Sequence, residues 1–96
     1  MEFEWDEANR QSNIEKHGID FAEAVAIYEG FVYTFRSDKI DYGEDRYLAV
    51  GLLNGIEITI VYTLRDEKYR IISVRRARIQ ESKRYYGAKS DRESGL

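Results

Sequence analysis

The apolar residues of this chain change their period once, and that change limits the folds open to it. Before Gly30 they recur at helical spacing: Phe21, Ala24, Val25 and Tyr28 fall at i, i+3, i+4 and i+7 and make one stripe. From Phe31 onward the period is two. Phe31, Tyr33 and Phe35 alternate with Val32, Thr34 and Arg36, and Ile56, Ile58, Ile60 and Tyr62 alternate with Glu57, Thr59, Val61 and Thr63. Helices therefore come first and strands follow, which predicts an α+β domain.

Local signals place the elements. Phe3-Glu4-Trp5 reads as a short opening strand, and Asp6 can cap a helix by accepting from its free N–H groups. Lys16 and His17 suit the negative end of that helix, and Gly18 offers a left-handed exit. Asp20 followed by Glu23 resembles a capping box for a second helix, which Gly30 ends. Asp38 to Glu44 forms a polar loop, and Arg46 to Leu53 a strand. Asn54-Gly55 is the strongest hairpin signal in the chain. Arg65-Asp66-Glu67-Lys68 makes a second tight connection into a last strand, Tyr69 to Arg76. Arg78 to Tyr86 can form a short helix with a weak apolar face, and the polar residues from Gly87 read as loose. The expected architecture is strand–helix–helix–four-strand antiparallel meander with a short C-terminal helix. Residues 1–88 form one domain and 89–96 a loose polar tail. Both early helices cover one face of the sheet, leaving the other concave, polar and available for binding.

Composition removes several classes of function. Ninety-six residues suit a single domain, and an apolar share of 43% is enough for a core. With no cysteine there is no disulfide framework or thiolate metal site, and one histidine rules out clustered imidazole ligation of zinc. The longest apolar runs, such as Leu48-Ala49-Val50, fall far short of the roughly 20 residues that span a bilayer. No basic segment followed by an apolar stretch opens the chain, so a soluble cytoplasmic domain is expected, with no membrane partner. No phosphate-binding loop, nucleophile elbow or metal motif occurs, so neither metal nor cofactor is implied.

The charges are divided along the chain. Residues 1–45 carry twelve acids and four bases, and residues 46–96 carry eleven bases and six acids. Between Arg65 and Arg84 eight bases meet three acids. Either a polyanion meets the C-terminal half, or the two halves complement each other within the fold. Arg65, Arg70, Arg75, Arg76, Arg78, Lys83 and Arg84 are interleaved with Tyr62, Tyr69, Tyr85 and Tyr86. Guanidinium groups pair bidentately with phosphate and tyrosines stack on unpaired bases, so single-stranded RNA suits the combination. The alternative is that the tyrosines pack and the arginine stems cover them. His17, the only imidazole, is the first candidate for proton transfer, though its place at a helix end has a purely stabilising explanation. A metal-free ribonuclease needs little more. A 2′-hydroxyl attacks the adjacent phosphorus, cations stabilise the developing charge, and the products are a 2′,3′-cyclic phosphate and a 5′-hydroxyl.

Several pieces taken together resemble the BrnT toxins. They are Phe3-Glu4-Trp5-Asp6-Glu7, Asn13, Lys16-His17-Gly18-Ile19, Phe21, Glu23-Ala24, Glu44 and Arg46, Val61-Tyr62-Thr63 with Arg65, Arg70 through Ala77, and Glu81. The resemblance covers about residues 2–86. It implies a RelE-like fold and a type II toxin–antitoxin ribonuclease that inhibits translation and growth. It also implies a BrnA-like ribbon-helix-helix antitoxin as partner, most simply two toxin chains on an antitoxin dimer, with operator DNA reached only through it. By the same resemblance Lys16, His17, Arg65 and Arg75 are candidates for catalysis. Arg70, Arg76, Arg78, Tyr62, Lys83 and Arg84 are candidates for RNA binding. The chain departs from the family pattern at Asn9, where lysine is common, at Glu29-Gly30 in place of Asp-Pro, and at Ser82 in place of arginine. The loss of a cation at Asn9 leaves a second function open, a catalytically weakened module that mainly co-represses its operon with the antitoxin. Arg75, as a strand residue on an open face, is expected to contribute little to folding.

Overall fold

A computed structural model of the chain describes residues 1–39 and 43–94. The elements in order are β1 (Phe3–Trp5), α1 (Glu7–His17), α2 (Phe21–Ala24) continuing as a 3₁₀ turn (Val25–Glu29), β2 (Tyr33–Arg36), β3 (Tyr47–Leu53), β4 (Ile56–Arg65), β5 (Lys68–Arg76) and α3 (Ile79–Ser94). Part of the polar loop expected over Asp38–Glu44, residues 40–42, lies outside the described residues, as do residues 95 and 96. The fold is α+β. Five strands form one sheet in the order β1-β5-β4-β3-β2. It is mixed, because β1 lies parallel beside β5 while the other neighbours are antiparallel.

The turn chemistry explains the two hairpins. Asn54 and Gly55 both take positive φ, +51° and +80°, the pair of left-handed residues that matches strand twist in a two-residue loop. Asp66 and Glu67 adopt the same geometry, at +51° and +65°, without a glycine. The helix starts follow the capping logic. Asp6 accepts from the Asn9 N–H at 3.1 Å, and Asp20 accepts from the Ala22 N–H at 2.9 Å. Glu23 is exposed, and Arg10 takes the place expected for it at the second cap: its Nε and Nη2 donate to the Asp20 carboxylate at 2.8 and 2.9 Å, tying α1 to α2. These bonds, first that from Arg10 and then that from Ala22, hold the Asp20 carboxyl below the usual carboxylate range.

The stripe expected as one helix from Phe21 tightens after Ala24 into the 3₁₀ turn, which lowers Ile27 onto β3. A Cβ on Gly51 would come within 2.9 Å of the Ile27 Cβ, so this contact requires glycine. Phe21, Ala24 and Ile27 pack with Ala49, Ile58, Ile60, Tyr62, Ile71 and Val74 into the main core.

A buried asparagine replaces a missing strand. β1 covers β5 only at Tyr69–Ile71, and α1 continues along the same edge. There the Asn13 side chain accepts from the Val74 N–H at 3.0 Å and donates to the Val74 carbonyl at 2.9 Å. It also donates to the Ile19 carbonyl, so Val74 on the edge of β5 is satisfied without a ladder partner.

The second face of the sheet is not left open. Instead of ending near Tyr86, α3 runs to Ser94, so the residues expected as a loose tail are helical as far as 94. It lies against β2 and β3, with Tyr85 buried and Val50 and Thr59 fully enclosed beneath this face. Its apolar face is weak, as its sequence suggests, and a buried carboxylate, Glu81, supplies the missing anchor. Among the described residues no helix is long and apolar enough to cross a membrane.

Candidate functional site

Register sorts the arginines of β5 onto opposite faces. Residues paired across antiparallel strands project to the same side. Thr59 pairs with Arg75 and Ile58 with Arg76, so Arg75 faces α3 and Arg76 faces the α1–α2 side. A bulge between Val61 and Tyr62 shifts the register, which lets Ile71 and Val74 both turn into the main core.

Facing α3, a cleft of about 420 Å³ opens over the sheet. Phe35, Leu48 and Val61 contribute apolar surface to it. Five arginines line it, Arg36, Arg46, Arg75, Arg78 and Arg84, together with Lys39. Asp38 is the one acid among its described lining residues. Such a concentration of cations attracts anions.

Glu81 organises the cleft from beneath. Its side chain is 9% exposed and accepts both Arg75 Nη1 at 2.7 Å and Nη2 at 2.9 Å. The Thr59 hydroxyl donates to it at 2.9 Å, and the Arg78 N–H at 2.8 Å. That last bond is half of a capping box, since Glu81 is the third residue of α3 and reaches back to the residue that precedes it. Burial pushes the Glu81 carboxyl up, but the Arg75, Arg78 and Thr59 bonds outweigh it and bring it down to about 2. With both oxygens engaged, Glu81 holds Arg75 in place. A third Arg75 donor reaches the Arg76 carbonyl at 3.4 Å, and the remaining two have no acceptor among the described residues. The expectation that Arg75 is dispensable for folding is therefore corrected: its side chain is 16% exposed, and removing it would strand a buried carboxylate.

The family model for the ribonuclease toxin BrnT of type II toxin–antitoxin systems matches residues 5–81. The chain belongs to the BrnT family. No curated protein gives a significant match. The BrnT match begins in β1, spans the rest of the sheet and ends on Glu81, so it includes the carboxylate that holds Arg75. Membership makes the chain one of a family of ribonuclease toxins, and a type II toxin has an antitoxin as partner.

Within this BrnT chain the four residues expected to be catalytic fall in three places. Arg75 lies in the cleft. Lys16 and His17 line a notch of about 160 Å³ between α1 and β5, with Asn9, Ser12 and Ser73. Ser73 is the register partner of Val61, so the notch adjoins the cleft across β4 and β5, although the two share no lining residue. Arg65 ends β4 and approaches Glu44 at 3.8 Å. Six residues of strand separate it from Thr59, about 20 Å.

The residues expected to bind RNA divide as well. Arg78 and Arg84 join Arg75, and Lys83 is exposed on α3 outside the cleft lining. Arg70 is held by Glu4 at 2.9 Å. Arg76 sits with His17, Leu53 and Ile58 in a hollow of about 270 Å³ on the α1–α2 side. Tyr62 is a correction: it is 6% exposed, and its ring stacks between Tyr47 and Tyr69 with centroids 5.4 and 4.9 Å away. Burial raises its hydroxyl to about 12, with Tyr69 and Tyr47 adding to the shift. A base cannot reach a ring so enclosed. Three contributors carried no assigned role in the sequence. Glu81 and Arg46 showed only as motif positions, and Phe35 only as one residue of an alternating strand. Among the described residues no group of three or more His, Cys, Asp or Glu side chains is placed to hold a metal ion.

Proposed function

We propose that this BrnT-family toxin cleaves single-stranded RNA in the cleft beside α3 by a metal-independent transesterification. The observation that carries the reading is Arg75, fixed bidentately by buried Glu81 and with two donors unpaired among the described residues, in a cleft lined by four more arginines. The 2′-hydroxyl attacks the adjacent phosphorus, the bond to the 5′-oxygen breaks, and a 2′,3′-cyclic phosphate and a 5′-hydroxyl result. One proton leaves the 2′-hydroxyl for solvent and another reaches the departing oxygen from it. Arg75 meets the charge that grows on the phosphoryl oxygens. Because it is already oriented, little reorganisation is needed, and stabilisation of that charge carries most of the rate. Arg78 and Arg84 hold the flanking phosphates as charge-assisted partners. The fold is RelE-like on the order of its elements. The antitoxin is a BrnA-like ribbon-helix-helix protein whose dimer carries two toxin chains in the cytoplasm, a reading supported by the N-terminal motif.

The position of His17 outside the cleft, and Asn9 beside it, favour the second function, a weakened toxin that acts mainly as a co-repressor. One experiment separates the two. Purified chain freed of antitoxin is incubated with end-labelled RNA in excess chelator, and growth is followed after induction with and without the antitoxin. Cleavage leaving cyclic phosphate ends, with arrest relieved by the antitoxin, supports the ribonuclease. Intact RNA beside a control nuclease that cuts supports the co-repressor.

A further inference from the structure

Phosphate contact alone does not explain the floor of the arginine cleft. Phe35 pairs with Leu48, and Leu48 with Val61, so three apolar side chains form one row across β2, β3 and β4 on the α3 face. All three are half-buried and line the cleft among its guanidinium groups. Phosphate, strongly hydrated and charged, gains nothing from such a floor. An unpaired nucleobase does, because it presents an apolar face and stacks on aromatic rings.

The occupant of the Phe35 ring gives the same indication. Arg84, an exposed side chain, lays its guanidinium carbon 4.9 Å from the ring centroid, and Tyr33 backs the ring at 5.8 Å. A flat cation resting on a ring shows that this face admits a planar partner. We propose that Phe35 is a nucleobase-stacking residue: one unpaired base of the RNA displaces Arg84 from the ring, and the freed guanidinium turns to a flanking phosphate. This deepens the ribonuclease reading and rests on it, by making the substrate RNA with at least one unstacked base next to the phosphate held by Arg75.

The test uses a 2′-O-methyl RNA heptamer, whose blocked hydroxyls prevent transesterification, and seven versions lacking one base each. Wild type should bind one of the abasic heptamers about 5- to 160-fold more weakly than the intact one, the range expected for a single stacked base. Phe35→Leu should bind the intact heptamer weakly by the same factor and lose nothing further on that abasic heptamer. Phe35→Tyr should restore the difference. A 2-aminopurine at that position should be quenched by wild type and Phe35→Tyr but not by Phe35→Leu, with melting temperatures confirming that all three are folded. An abasic penalty that persists undiminished in Phe35→Leu overturns the stacking role. If wild type binds no heptamer, or if Arg78→Ala and Arg84→Ala bind as wild type does, the cleft reading fails and the stacking role fails with it.

Discussion

The two faces of this one sheet are held by different physics. On the α1–α2 side, Phe21, Ala24 and Ile27 bury apolar surface against Ile58, Ile60 and Val74, and the close approach at Gly51 shows packing to the limit of contact. On the α3 side Tyr85 packs against Phe31 further along the helix, but a charged network, Thr59–Glu81–Arg75, anchors the helix start, and beside it opens a cleft lined with cations. The first face contributes stability with little chemistry. The second has its chemistry built into what holds α3 in place, so a residue there serves both purposes at once.

The largest expected effect comes from splitting that double role. Glu81→Ala should destabilise the chain by about 3–5 kcal/mol in urea denaturation, because it leaves the Arg75 guanidinium buried and unpaired. It should also abolish cleavage. The double variant Arg75→Met/Glu81→Leu should recover most of that stability, since an apolar pair of similar volume avoids the desolvation cost, yet remain inactive. Recovered cleavage in the double variant would break the distinction between the two faces.

Acid should act on the same network. The Glu81 carboxyl is depressed to about 2, so its stabilising contribution is full above the unfolded-state value near 4.3 and is lost as the pH falls towards 2. That loss is of the order of 3 kcal/mol. Glu81→Gln should flatten the stability profile over this window, whereas a profile as steep as wild type would place the acid sensitivity elsewhere.

On the opposite side the effects are smaller and should leave the chemistry alone. Asn13→Ala removes both partners of the Val74 backbone and should cost roughly 2–3 kcal/mol in thermal unfolding, with normal cleavage by the folded fraction. Gly51→Ala should cost about 1–3 kcal/mol by overpacking against Ile27. Lost activity in either variant at a temperature where it is fully folded would show that the core side also shapes the cleft.

What the sequence revealed follows from how far each signal reaches. The caps at Asp6 and Asp20, the Gly18 exit and the Asn54-Gly55 hairpin rest on neighbours a few residues apart, and local chemistry sets them. The family was legible from the same kind of short motifs. The face of each arginine was not, because Arg75 and Arg76 are sorted by strand register and by a bulge that no local pattern marks. The role of Asn13 depends on Val74, 61 residues away, and that of Glu81 on Thr59, 22 residues away. Interleaving with arginines made Tyr62 resemble a base-stacking aromatic, yet it lies in the core with Ile58 and Ile60, the face that alternation gives it, between two other tyrosines. The length of α3 was hidden because its last turns are held by cations on rings, Lys89 on Tyr85 and Arg92 on Phe31, contacts that hydrophobic periodicity cannot count.

The cleft and the notch can be set against each other directly. Arg78, Arg84, Lys16 and His17 are all exposed, so Arg78→Ala/Arg84→Ala and Lys16→Ala/His17→Ala should both fold as wild type does. Single-turnover cleavage of one end-labelled RNA, measured for both double variants, reads out where the reaction takes place. The cleft variant should lose about 100-fold or more in kcat/KM, and the notch variant no more than roughly threefold. A notch variant that loses as much as the cleft variant, or more, would contradict the assignment of RNA cleavage to the arginine cleft.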